Sequence, residues 1–138
     1  MSRVMLTNLS QIQSDAGAVY HALKSTDAGF DVFGEAYFSI INQDCIKGWK
    51  RHAKMTCNLI VPHGLVRFAV VKQDLSIETY TLGSSSYKRL TIYPCTWFAF
   101  QGLEPGPNLI LNVANTHHSP DEVEGKALSE FNLDWSQK

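Results

Sequence analysis

Short apolar runs recur about every ten residues along much of this chain, separated by clusters rich in Gly, Pro, Asn and Ser. Residues 36–41 mix aromatic and β-branched side chains and stop at the turn cluster Asn42-Gln43-Asp44, the composition of a strand and its end. Runs at 46–52 and 58–61 follow, then a Pro62-His63-Gly64 turn and the strongest apolar strand, 65–71. Segments 77–81 and 89–93 alternate apolar with polar, and 97–100 and 108–115 complete the series. Such a string predicts an all-β antiparallel sandwich or barrel. Residues 1–17 are polar, and 18–24 fit a helical turn or a strand equally. The one helix predicted starts at Ser119-Pro120-Asp121-Glu122, with Ser119 as cap, Pro120 at the first position and the acids at the positive end. The expected organisation is a single domain over 1–138, with a barrel from about 15 to 118 and a tail from 119.

One run breaks the apolar pattern. Residues 47–54 hold Lys47, Lys50, Arg51 and Lys54 together with His52, just before the apolar run that begins at Leu59. Strict alternation sends Lys47, Trp49 and Arg51 to one face and Lys50, His52 and Lys54 to the other. A row of nitrogens is unfavourable in an apolar interior unless hydrated, paired or neutralised. The segment is therefore either a solvated strand face or one wall of a pocket for an anion. Glu35 and Asn58 are polar side chains on otherwise apolar strands and need partners, for which a sugar hydroxyl is suitable. Tyr37, Trp49, Trp97, Phe98 and Phe100 fit either stacking on a ligand ring or, more commonly at this spacing, the core.

Charge narrows the partners. The formal net charge is -1 and charged residues make up 18% of the chain, so no global basic field recruits nucleic acid or an anionic membrane. No leader-like or membrane-spanning apolar run is present, and a cytoplasmic protein is expected. Cys45, Cys57 and Cys95 are odd in number and scattered, which reads as buried free thiols.

The order of several short motifs resembles one family. Phe33-x-Glu35, Ile46-Lys47-Gly48-Trp49, Gly64-x-Val66, Ile92-Tyr93-Pro94-x-x-Trp97-Phe98-Ala99-Phe100 and Ala114-Asn115-x-His117-His118-Ser119-Pro120 together resemble the dTDP-4-dehydrorhamnose 3,5-epimerase family of cupins. The resemblance implies a double-stranded β-helix, that is, a jelly-roll barrel. It also implies a homodimer, a nucleotide-linked 4-keto-6-deoxy sugar as substrate, and no metal or cofactor. The implied chemistry is removal of a proton beside the C4 ketone and its return on the opposite face, in surface-polysaccharide sugar synthesis. That reaction needs a base, a group to hold the enolate oxygen and an acid on the other side.

The reactive positions depart from the family pattern. Its Arg-Gly-x-His signature stands here as Lys47-Gly48-Trp49-Lys50, and its Tyr-Tyr-x-Pro as His117-His118-Ser119-Pro120. In the related sugar 3,4-ketoisomerases, the second histidine of a His-x-His pair matches His52. The catalytic set expected on this basis is Lys50 as base or enolate stabiliser, His52 as its partner and His117 as the opposing acid. Glu35, Lys47, Lys54, Asn58 and His118 are expected to bind substrate, and Glu130 and Asp134 are candidates for a supporting acid. Lys50 fits equally the neutralisation of a pyrophosphate. Two other classes remain open: a binding cupin that has lost catalysis, and a metal-dependent cupin, for which His52 lacks a histidine two residues earlier.

Overall fold

A computed structural model describes residues 3–137, and its strands follow the apolar runs. In chain order they are β1 (Val4–Asn8), β2 (Gln11–Ser14), β3 (Gly17–Tyr20), β4 (Glu35–Ile41), β5 (Ile46–His52) and β6 (Cys57–His63). The series continues with β7 (Leu65–Val71), β8 (Ile77–Gly83), β9 (Lys88–Ile92), β10 (Phe98–Gly102), β11 (Asn108–Ala114) and β12 (Val123–Gly125). Two five-stranded antiparallel sheets form, in the orders β1-β9-β6-β11-β4 and β12-β5-β10-β7-β8, and β2 pairs with β3 as a separate hairpin. From β4 to β12 the chain changes sheet at every connection except the β7–β8 hairpin. That winding is the double-stranded β-helix of a cupin.

The amino-terminal strand was not legible as such. β1 begins at Val4, ahead of residue 15, and its pairing of Leu6 with Leu90 makes it an edge of the first sheet. The ambiguous stretch after residue 17 is strand β3, held by β2. The predicted helix at Ser119 is a single 3-10 turn, Pro120–Glu122, with no side-chain cap from Ser119. Extended backbone wins immediately afterwards because Val123–Gly125 gains a ladder with β5.

Two apolar clusters hold the sandwich. Between the sheets lie Phe68, Phe98, Phe100, Val66, Leu90 and Ile110 among others. On the outer face of the second sheet, Trp49, Ala69, Val71, Trp97 and Ala99 are covered by Phe131, Leu133 and Trp135 of the tail. Trp49, Trp97, Phe98 and Phe100 are thus core residues, as large aromatics on strands usually are. The tail is locked further by Trp49 Nε1 donating to Leu128 O at 3.2 Å and by Arg67 donating to Asp134 O at 3.3 Å.

A bulge decides what β5 presents inward. Phe98 pairs with Lys50, but Phe100 pairs with Lys47, so Gly48 and Trp49 together oppose Ala99 alone. Only glycine fits at 48, because a Cβ there would overlap Ala99. Strict alternation is broken as a result. Lys47 falls in register with the inward Phe100, while Trp49 and Arg51 lie outside, where the Arg51 guanidinium sits 4.9 Å from the Trp97 ring centre.

Candidate active site

β4 is an edge strand of one sheet, and β5 stands one strand from the edge of the other. Lys47 Nζ spans the two, donating to Ile40 O at 2.9 Å. On β4, Glu35, Tyr37, Ser39 and Ile41 alternate with the exposed Ala36, Phe38 and Ile40, so the first set faces the interior. On β5 the inward side chains are Lys50 and His52, both against Phe98: the Lys50 Nζ is 5.5 Å from its ring centre, and the His52 ring stacks at 6.2 Å and 28°. The sandwich thereby brings a carboxyl, a phenol, an amine and an imidazole to one end of its interior.

His52 is oriented by a residue from the tail. Its Nδ1 lies 2.8 Å from Glu122 Oε2, and both side chains are only 5% exposed. Glu122 Oε1 accepts the backbone N–H groups of Lys54 at 2.8 Å and Met55 at 2.7 Å. Burial pushes the Glu122 carboxyl up, but the bonds from His52, Lys54 and Met55 outweigh it and hold the group below the usual carboxylate range. An ionised Glu122 only accepts, so Nδ1 carries the proton and donates it to Oε2. His52 Nε2 is then an acceptor, and it is buried without a hydrogen-bond partner. This tautomer is that of a general base.

The other groups complete a reactive set. Tyr37 Oη accepts from Asn112 Nδ2 at 3.0 Å, which leaves the Tyr37 O–H free to donate. Burial raises its pKa against the opposing effect of Asn112, with Cys57, Glu35 and Glu122 adding to the rise. Tyr37 is therefore a protonated acid at neutral pH. The Lys50 ammonium is disfavoured by burial and by the like charge of Lys47. Glu35 Oε1 is buried and has no partner.

The sequence-predicted residues fall into two groups. Glu35, Lys47, Lys50 and His52 converge on the slit between β4 and β5. Asn58 does not: it points to the outer face of its sheet, where Nδ2 donates to Gly29 O at 3.1 Å and Oδ1 accepts from Thr91 at 2.6 Å. With the fully buried Arg89, which donates to Ala22 O and Ala28 O and pairs with Asp27 at 3.3 Å, it pins segment 22–29 to the barrel. Asn58 found its required partner in the protein. Lys54 lies beyond the end of β5 with an exposed side chain, and only its backbone serves the site. His117 and His118 are both exposed in the loop after β11, so neither is delivered to the interior. Glu130 and Asp134 are likewise exposed on the outer side. Cys57 alone is a buried thiol; Cys45 and Cys95 are free but exposed.

Sequence reasoning missed three residues. Glu122 was read as a helix-start acid, Tyr37 as a ring for stacking, and Asn112 not at all. Tyr37 and Asn112 shared a signal, a polar atom on a strand between apolar neighbours, whereas Glu122, between Asp121 and Val123, carried none. A concavity of about 510 Å³ lies at the other side of the sandwich, between β1 and β8, and is lined by Arg3, Lys72, Asp74, Glu78 and Tyr80. Its charges are of both signs, Lys72 and Glu78 lying 3.4 Å apart, and it holds none of the predicted residues. Among the described residues, no group of three or more His, Cys, Asp or Glu is placed to hold a metal, and no helix is long and apolar enough to cross a membrane.

Fold and interior together describe a cupin barrel with a carboxyl, a phenol, an amine and an imidazole gathered at one end. No protein-family model matches the chain, and no curated protein matches it. Solved structures do. A dTDP sugar isomerase from Desulfovibrio desulfuricans G20 superposes with a TM-score of 0.90 at 28% identity, over 98% of this chain and 92% of that one. The 3,4-ketoisomerase QdtA from Thermoanaerobacterium thermosaccharolyticum, solved with TDP-4-keto-6-deoxyglucose, gives 0.77 at 21% identity, over 90% and 88% of the two chains. The dTDP-4-dehydrorhamnose 3,5-epimerase from Bacillus anthracis str. Ames, solved with TDP and PPi, gives 0.83 at 16% identity, over 96% and 84%. The last two share the fold. The structural neighbours of this chain are therefore sugar-nucleotide isomerases and epimerases of the 3,5-epimerase-like cupin type.

Proposed function

We propose that the chain binds a nucleotide-diphospho-4-keto-6-deoxy sugar between β4 and β5 and epimerises or isomerises it by proton abstraction beside the C4 ketone. The carrying observation is the buried His52–Glu122 pair, whose remaining imidazole nitrogen is unpartnered. His52 Nε2 takes the proton, Lys50 activates the C4 carbonyl, and Tyr37 returns a proton from across the slit. Lys47, at the rim, meets the diphosphate, and the unpartnered Glu35 oxygen takes a sugar hydroxyl. The setting we propose is a single cytoplasmic domain in surface-polysaccharide sugar synthesis, in keeping with free thiols at Cys45 and Cys95.

The test is incubation with dTDP-4-keto-6-deoxyglucose in D2O. Deuterium is expected at a carbon flanking C4, and Tyr37→Phe is expected to slow its appearance by about 10²-fold or more. Absence of label, with dTDP still raising the melting temperature, would instead identify a binding module without catalysis.

We also propose a homodimer through the outer face of β4. Phe38 is 63% and Ile40 56% exposed there, opposite Leu111 and Leu109 of β11, an apolar stripe of the kind that marks an interface. Sedimentation should give twice the chain mass, reduced to one by Phe38→Asp. A monomeric parent protein would remove this reading.

A further inference from the structure

We propose that Lys50 acts covalently, forming an iminium with the C4 carbonyl of the sugar, and that the reaction is consequently epimerisation rather than transposition of the ketone. This rests on the reading that a 4-keto sugar enters the slit.

Geometry singles out Lys50. Its side chain is directed inward over Phe98 and makes no hydrogen bond or ion pair among the described residues. No carboxylate is paired with it. Glu122 is committed to His52, Lys54 N and Met55 N. The Cys57 thiol is pushed up to about 12 by burial, and so stays neutral. Glu35 and Tyr37 stand across the slit on β4, and Lys47 contributes like charge. A desolvated amine next to another cation is how a lysine becomes a nucleophile towards a carbonyl near neutral pH. Next to it, two residues along the same strand, is a base already in the correct tautomer.

The step balances without an oxidant or reductant. The Lys50 Nζ lone pair adds to C4, and the C=O π pair moves to oxygen, which takes a proton from Tyr37. Nitrogen then loses a proton, the hydroxyl leaves as water with a second proton, and the nitrogen lone pair closes the C=N⁺ bond. His52 Nε2 removes the proton from C3 or C5, and that C–H pair forms the enamine. Reprotonation of the same carbon on its other face restores the iminium, and water releases the inverted ketone and the free amine. Transposition fails on this route. Protonating C4 of the enamine would leave a saturated C4–N bond that water does not cleave, so the product would stay on the enzyme.

The experiment is incubation of the full chain with dTDP-4-keto-6-deoxyglucose and cyanoborohydride at pH 7, followed by intact mass and peptide mapping. One sugar nucleotide per chain is expected on Lys50. It should be suppressed by excess dTDP and absent in Lys50→Arg, and that variant should lose deuterium incorporation while dTDP still raises its melting temperature. Deuterium incorporation by the parent chain without any adduct, or continued incorporation by Lys50→Arg, would overturn the covalent step and leave the functional reading standing. An adduct spread over Lys47 and Lys54 and insensitive to dTDP would also overturn it. Neither adduct nor label, with dTDP bound, would remove both.

Discussion

His52→Asn is expected to reduce deuterium incorporation into dTDP-4-keto-6-deoxyglucose by ~10²–10⁴-fold, the usual contribution of a positioned general base, with little change in melting temperature. The asymmetry follows from which nitrogen does what. Nδ1 holds Glu122 at 2.8 Å, whereas Nε2 is buried without a partner. The asparagine amide can still donate to Glu122 from about the position of Nδ1, so the buried carboxylate keeps its partner. Only the free nitrogen is lost. Affinity for dTDP, measured by thermal shift, should be unchanged, because the diphosphate contact proposed above is Lys47 at the rim and not the imidazole. Incorporation within a few fold of the parent rate would show that another group removes the proton.

The second large effect concerns stability. Glu122→Ala is expected to lower it by about 3–5 kcal/mol, since His52 Nδ1–H and the N–H groups of Lys54 and Met55 would lose their acceptor in a buried site. Glu122→Gln keeps the shape and one acceptor, and should remain folded. Its amide can donate to Nδ1, however, which moves the imidazole proton to Nε2 and removes the base. Urea denaturation and deuterium incorporation together separate the two roles. The stabilisation also depends on pH in a definite sense. The Glu122 carboxyl titrates lower in the fold than in the unfolded chain, so its contribution is complete above the ordinary glutamate value of about 4.3 and is lost as pH falls through the lowered folded value. The parent protein should lose stability more steeply than Glu122→Gln across that acid window. Parallel curves would mean that Glu122 is not held ionised by the fold.

The tail thus serves the site from both sides of one strand. Glu122 reaches the inner face of β5, while Phe131 and Trp135 pack against Trp49 on its outer face, with ring centres 5.0 and 5.9 Å away. Anchoring the base through a strand gripped on both faces keeps its orientation set by packing, which suits proton transfer over a fixed distance.

Local pattern was enough to establish the all-β class, most strand positions and the shared face of Lys50 and His52, because turn residues and short-range alternation are properties of neighbours in the chain; that this face turns inward was decided by the fold. It also marked Glu35 as a polar group in need of a partner. Tertiary structure decided the rest. The bulge at Gly48 and Trp49 carried Lys47 round to the side of Lys50, a shift that alternation has no means of anticipating because it depends on the facing residue, Ala99. Asn58 found its partners in Gly29 and Thr91, which are remote in sequence. Glu122 reached His52 across 70 residues, while His117 and His118, whose spacing promised an acid, were left in solvent. Which polar group meets which is settled by the sheets that fold it inward, and that closure involves contacts distant along the chain.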